Sequence, residues 1–212
     1  MPTIDIKKMH LYNNQVKLKS KTLYSSASDA KIQTKRKPQI SLLLGGCKSG
    51  KSSYAYDYAL GFGLENSQRI IIATSKERIN EISDKSKSIN KKNDDLFTII
   101  EDDSNIDFTL KNLPSNTQIV VIDNISVWLS NLLENNEDIE EKENAFLEKL
   151  TCANEDVVII SNMMGLGIDP SDEKEKAIRD VSGSFNQKLA AICDNVILMV
   201  AGLPLKIKGD LL

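Results

Sequence analysis

The sequence predicts an α/β fold, a mostly parallel sheet flanked by helices, in one domain spanning residues 39–212. Two observations predict it: apolar runs of strand length recur along the chain, and longer charged segments of helical length separate them. A third is a glycine-rich octapeptide set between the first apolar run and the first helical segment.

Taken in order, Ile40–Leu44 is a continuous apolar run that fits a strand buried on both faces, and it stops at Gly45. Arg69–Ala73, Gln118–Asp123, Asp156–Ser161 and Asn195–Val200 repeat the form, and four of the five are rich in β-branched residues. Between them Lys51–Leu60, Glu77–Lys92, Asn124–Leu133, Glu137–Cys152 and Asp172–Cys193 have helical length. The stretch Glu77–Asp95 is polar enough to lie on the surface or over a ligand, with a short strand at Leu96–Ile100 after it. Asn135–Glu143 is an acidic run that reads as the solvated start of a helix.

The totals bound the rest. A chain of 212 residues that is 41% hydrophobic can bury one good core, with little room for a second domain. No run of about 18 apolar residues is present and the first residues lack a signal-peptide core, so a cytoplasmic protein without membrane insertion is expected. Cys47, Cys152 and Cys193 form no CxxC pair, and His10 is the single histidine, which argues against disulfide frameworks and zinc sites. Residues 1–38 carry nine Lys/Arg and only Asp5 and Asp29, whereas the remainder has 18 basic and 28 acidic residues. So polar and basic a segment cannot bury enough apolar surface to order itself. It reads as a flexible extension rather than a nucleic-acid-binding arm or an organellar presequence.

Residues 45–52 read GGCKSGKS, the pattern G-x-x-x-x-G-K-[ST] of a P-loop, after a buried strand and at the start of a helix. Gly45 and Gly50 allow the backbone angles and close approach that let successive N–H groups point at one phosphate. Gly46, Cys47, Lys48 and Ser49 complete the loop. Lys51 places a positive charge on the β/γ-phosphates, the Ser52 hydroxyl can ligate Mg2+, and the helix N-terminus favours the anion. Asp123 ends the run QIVVID, where a carboxylate can hold Mg2+ or its bound water; a turn or a helix N-cap is the plainer reading of the same residue. Lys51, Ser52 and Asp123 are therefore the candidate catalytic residues, and Ser52 and Asp123 the candidate metal ligands.

GGCKSGKS, the IATS at Ile72–Ser75 and VIDNISVWLSNLL at Val121–Leu133 together resemble the bifunctional adenosylcobinamide kinase and adenosylcobinamide-phosphate guanylyltransferase family of cobalamin biosynthesis. The most specific match is C-terminal: Asn162, Gly165, Gly167, Ile168 and Pro170 fit the family's TNEVGxGIVP segment. Arg179, Asp180, Gly183, Asn186, Gln187, Ala190, Asp194 and Val196 fit its FRDxxGxxNQxxAxxADxV segment, and Gly202, Pro204 and Lys208 its tail.

The resemblance implies a P-loop nucleotide-binding fold, a homotrimer, and transfer of the γ-phosphate of ATP or GTP to the aminopropanol hydroxyl of adenosylcobinamide. It also implies nucleotide contacts from residues 45–52, Thr74, Ser75, Glu101 and Asp123. The family's second step passes GMP from GTP through a histidine adduct, but an ungapped count puts Ile89 at that position, and no histidine follows His10. Met163 and Asp169 also depart from the family segment. An enzyme keeping the kinase step is the leading reading. The alternatives are a catalytically silent nucleotide or corrinoid binder and a P-loop kinase for another small alcohol.

Overall fold

The computed structural model describes residues 37–62, 68–77, 79, 80, 97–164 and 170–212. The strands are β1 (Ile40–Gly45), β2 (Gln68–Ala73), β3 (Thr98–Glu101), β4 (Thr117–Asp123), β5 (Asp156–Asn162), β6 (Asn195–Val200) and β7 (Leu203–Lys208). The helices are α1 (Lys51–Leu60), α2 (Ile106–Lys111), α3 (Ile125–Glu134), α4 (Ile139–Thr151) and α5 (Glu173–Ile192). They form one seven-stranded sheet in the order β3-β2-β4-β5-β1-β6-β7, parallel except for the antiparallel pair of β6 with β7. The expected α/β class and mostly parallel sheet are thus observed.

Parallel strands with helices on both faces bury both sets of alternate side chains, which is why the strands read as continuous apolar runs. Leu42, Ile70, Ile72, Val120 and Ile122 point into one core, beneath α3, α4 and α5, and Leu43, Ile71, Val121 and Ile160 into the other, beneath α1. In the first core Trp128, Phe146 and Phe185 bring one large ring each from α3, α4 and α5, with centroids 5.6–6.0 Å apart. These tilted contacts fix how the three helices sit on the sheet.

The helix starts follow from their caps. Asn124, Asp138 and Asp172 each accept a hydrogen bond from a first-turn N–H of α3, α4 and α5. The acidic run before α4 is solvated only in part: Glu140 and Glu141 are exposed, but Glu143 is buried and paired with Lys188 of α5 at 2.6 Å. Two elements go beyond the sequence-based expectation, the six-residue α2 and the antiparallel edge strand β7. The extension expected over residues 1–38 lies almost wholly outside the described residues, as does most of the helix expected at Glu77–Lys92. Pro38–Leu212 form one compact unit.

Candidate functional site

Parallel strands all end on the same side of a sheet, so the site is set by what stands at their carboxyl ends. Register places Gly45 between Asn162 of β5 and Met199 of β6, Asp123 beside Ala73 of β2, and Ala73 beside Glu101 of β3. The phosphate loop leaves β1, an interior strand between β5 and β6, and turns directly into α1. Neighbouring strands are about 4.8 Å apart, so β4 with Asp123 lies about 10 Å from β1 and β3 with Glu101 about 19 Å from it. Asp123 is close enough to act on a phosphate held by the loop. Glu101, which is exposed, is too far across the sheet for that.

The loop geometry explains its residues. Gly45 has φ 153°, and a side chain there would put Cβ 2.6 Å from the Met199 carbonyl oxygen and 2.7 Å from Ser49 Oγ. Gly50, the residue before α1, has φ 97°, and its Cβ would stand 3.1 Å from the Gly202 Cα. Both positions therefore exclude larger residues. No side chain caps α1 and no acidic residue occupies its first turn, which leaves that helix end suited to an anion.

Lys51 is 6% exposed. Its Nζ donates to the carbonyl oxygens of Gly45 at 2.9 Å and Gly46 at 2.7 Å, and to Ser49 Oγ at 3.5 Å. The ammonium is thus held at the mouth of the loop by neutral acceptors that a phosphate can outbid, because charge-assisted hydrogen bonds are the stronger ones. Ser52 follows, partly buried, while Cys47 and Lys48 are exposed on the rim, Lys48 with φ 53°.

Asp123 is fully buried, and its Oδ2 accepts a 2.6 Å hydrogen bond from the Tyr56 hydroxyl. Asn124, joined to it by a cis peptide, is the N-cap of α3. Its side-chain oxygen accepts from Val127 N, while its Nδ2, also buried, has no partner. The plainer role for an acid at this strand end, a helix cap, therefore falls to Asn124 and leaves Asp123 for another purpose. Thr74 is buried too: its hydroxyl donates to the Asn124 carbonyl at 2.9 Å and accepts from Asn124 N at 3.0 Å. Asn131 of α3 donates to the Thr74 carbonyl and to the Asp103 carbonyl, tying the ends of β2 and β3 together. Ser75 is partly buried beside them.

The donor set suits Mg2+. Ser52 and Asp123 offer hard oxygen ligands, and among the described residues no cluster of three or more His, Cys, Asp or Glu forms a closed cage. Magnesium in nucleotide sites takes one or two protein oxygens and completes its shell from phosphates and water.

Several supporting residues carry no signal in the motif itself. Gly202 N donates to the Ser49 carbonyl and Met163 N to the Gly45 carbonyl, so the β6–β7 turn and the end of β5 brace the loop from behind. Ser126 of α3 bonds to Ser161 Oγ and accepts from Asn162 N, fixing the end of β5. Gly202, Asn162 and Ser126 fall in the segments that carry the family resemblance, whereas Tyr56 and Met199 do not. Ile89, which stands where the family has its guanylylated histidine, lies outside the described residues, as do Gly165, Gly167 and Ile168.

Among the described residues no helix is long and apolar enough to cross a membrane. The family profile described as cobinamide kinase / cobinamide phosphate guanyltransferase matches residues 41–207. The bifunctional adenosylcobalamin biosynthesis protein CobP of Pseudomonas aeruginosa is 30% identical over 171 residues, 80% of this chain and 97% of that protein. The corresponding CobU of Escherichia coli K12 is 28% identical over 182 residues, 79% of this chain and 98% of its own. Among solved structures, the flagellar accessory protein FlaH from Methanocaldococcus jannaschii covers 82% of this chain and 80% of its own at 11% identity and TM-score 0.48, too distant to argue from. With its phosphate loop, buried strand-end carboxylate and a match over nearly the whole described unit, the chain belongs to the cobinamide kinase / cobinamide phosphate guanyltransferase family.

Proposed function

We propose that this protein is a P-loop kinase that transfers the γ-phosphate of ATP or GTP to the aminopropanol hydroxyl of adenosylcobinamide. The observation that carries the proposal is the placement of Lys51 and Asp123. One is at the mouth of the loop, the other is buried two strands away at the same sheet edge. Phosphoryl transfer asks a protein mainly for positioning and charge neutralisation. The loop N–H groups and the α1 terminus orient the phosphates, and Lys51 shifts its ammonium from the loop carbonyls to the β/γ-phosphates. Ser52 and Asp123 would hold Mg2+, directly or through water, and the bound ion neutralises charge on the phosphate oxygens.

GMP transfer is the activity we propose to be lost. That step in the family needs a histidine nucleophile, and His10, outside the matched residues 41–207, is the only histidine in the chain. This eroded second activity also favours the competing reading, a silent nucleotide or corrinoid binder. A homotrimer, implied by the family resemblance, is a further proposal that sedimentation would test.

The deciding experiment incubates the protein with adenosylcobinamide, Mg2+ and ATP or GTP, and reads the products by mass. A phosphorylated corrinoid without a GDP-linked one is expected. Nucleotide binding with no phosphorylated product would leave the silent binder, and a covalent GMP label on the protein would show that the second activity persists on another nucleophile.

A further inference from the structure

Tyr56 stands four residues after Ser52 in α1, so the two side chains lie on one face of the helix, a turn apart. Its ring is 5% exposed and packs against Phe97 with centroids 5.9 Å apart, in the core cluster that includes Ile71 and Val121. From this fixed ring the hydroxyl reaches Asp123 Oδ2 at 2.6 Å, within the range of charge-assisted O–H···O⁻ bonds. The last torsion of an aspartate is broad and roughly two-fold, so a carboxylate held at neither oxygen turns readily. Holding Oδ2 sets the carboxylate plane, and with it the direction in which Oδ1 points.

We propose that Tyr56 is a positioning residue for the metal-facing carboxylate: α1 carries the phosphate-loop serine at its start and, one turn on, the phenol that orients Asp123. The sheet alone does not do this, because β4 fixes only the backbone of Asp123. A single helix thereby sets both proposed protein ligands of Mg2+ relative to each other, which makes metal affinity depend on a residue that touches neither nucleotide nor metal. The inference rests on the nucleotide·Mg2+ reading of the site but not on the identity of the phosphoryl acceptor.

The test uses the full chain and the variant Tyr56→Phe, which keeps the ring against Phe97 and removes the hydroxyl. The readout is binding of a fluorescent ATP or GTP analogue across a Mg2+ titration, without any acceptor. Loss of a hydrogen bond to a charged group predicts a rise of about tenfold in the Mg2+ concentration for half-maximal enhancement of binding. Affinity in EDTA should stay within about twofold, because the loop N–H groups and Lys51 are untouched. Repeating the substitution in an Asp123→Asn background separates positioning from general packing: there Tyr56→Phe should add no further shift.

A Mg2+ midpoint unchanged by Tyr56→Phe, or an equal shift in the Asp123→Asn background, overturns the inference. A wild-type chain showing no Mg2+-dependent nucleotide binding overturns the inference and the proposed function together. The expected shift with adenosylcobinamide left unphosphorylated supports the role of Tyr56 and removes only the proposed substrate.

Discussion

The backbone N–H of Gly202 donates to the carbonyl of Ser49 at 2.9 Å, joining the turn between the last two strands to the middle of the phosphate loop. The loop is therefore held between β1 and the β6–β7 turn, and its tolerance of substitution differs sharply between adjacent glycines. Gly45→Ala drives a methyl against the Met199 carbonyl, a backbone atom that cannot swing away, whereas at Gly46 nothing lies within 4 Å of a Cβ. Gly45→Ala should cost about 1–3 kcal/mol of stability and lose nucleotide binding, while Gly46→Ala changes stability by less than about 0.5 kcal/mol. Thermal unfolding and nucleotide titration of the pair check this.

Lys51→Ala removes the charge we propose acts on the transferring phosphoryl group, and leaves the Gly45 and Gly46 carbonyls only their backbone donors, Met163 N and Ser49 N. Loss of one such preorganised donor predicts a fall in kcat of about 10²- to 10³-fold. The circular dichroism spectrum should not change, because the backbone hydrogen bonds from Met163 and Gly202 still hold the loop. Turnover within a few-fold of wild type would remove Lys51 from the mechanism.

Thiol labelling gives a direct view of nucleotide occupancy. Cys47 on the loop and Cys152 after α4 are exposed, while Cys193 is buried and burial pushes its thiol up to about 12. At pH 8 Cys193 remains protonated as well as inaccessible, so two thiols should react in the native protein and the third only on unfolding. Added ATP or GTP should slow Cys47 and leave Cys152 unchanged. Equal protection of both would place the nucleotide elsewhere.

Glu143 and Lys188 join α4 to α5 across 45 residues, with the Glu143 side chain nearly wholly buried and the Lys188 side chain 43% exposed. Lys188→Met strands a buried charge and should destabilise the chain by about 1–3 kcal/mol, the exposure of Lys188 keeping the figure below that of a fully buried pair. Replacing both residues, as in Glu143→Leu with Lys188→Met, should recover much of the loss. Urea unfolding of the single and double variants measures both.

What could be read along the chain was whatever neighbours in sequence decide. The run Ile40–Leu44, the loop and α1 form one contiguous signal, and α1 spans the same residues that its charge and length indicated. The six residues of α2 are too few for an apolar period to show, and they hold their place through Ile106 in the core and the hydrogen bond from Trp128 to Ser104. The strand β7 was hidden for another reason: Leu203, Leu205 and Ile207 alternate with Pro204, Lys206 and Lys208 but are exposed, so its pattern does not mark a buried face. Glu143 reads as solvated because its partner lies 45 residues away, and nothing in the sequence marks Tyr56, whose partner Asp123 is 67 residues away. The cradle was legible in its own motif, whereas Gly202 was marked only by the family resemblance and Met199 by nothing in the sequence.

The place of β1 in the sheet also orders events on the ribosome. This strand emerges early, yet both its neighbours are made late: the Ile40 N–H bonds to Asp194 across 154 residues, and the Gln39 N–H to Asp156 across 117. While β2, β3 and β4 can pair as they appear, the glycine-rich loop hangs from an unpartnered strand for on the order of 10 s at ordinary elongation rates. A nascent chain stopped before Asn195 carries every residue of the motif but lacks Met199 and Gly202, and so has no back wall for the loop. Under the proposed function, nucleotide would stabilise only finished molecules, by mass action on the completed fold, and would draw newly made chains past their last folding step without rescuing truncated ones.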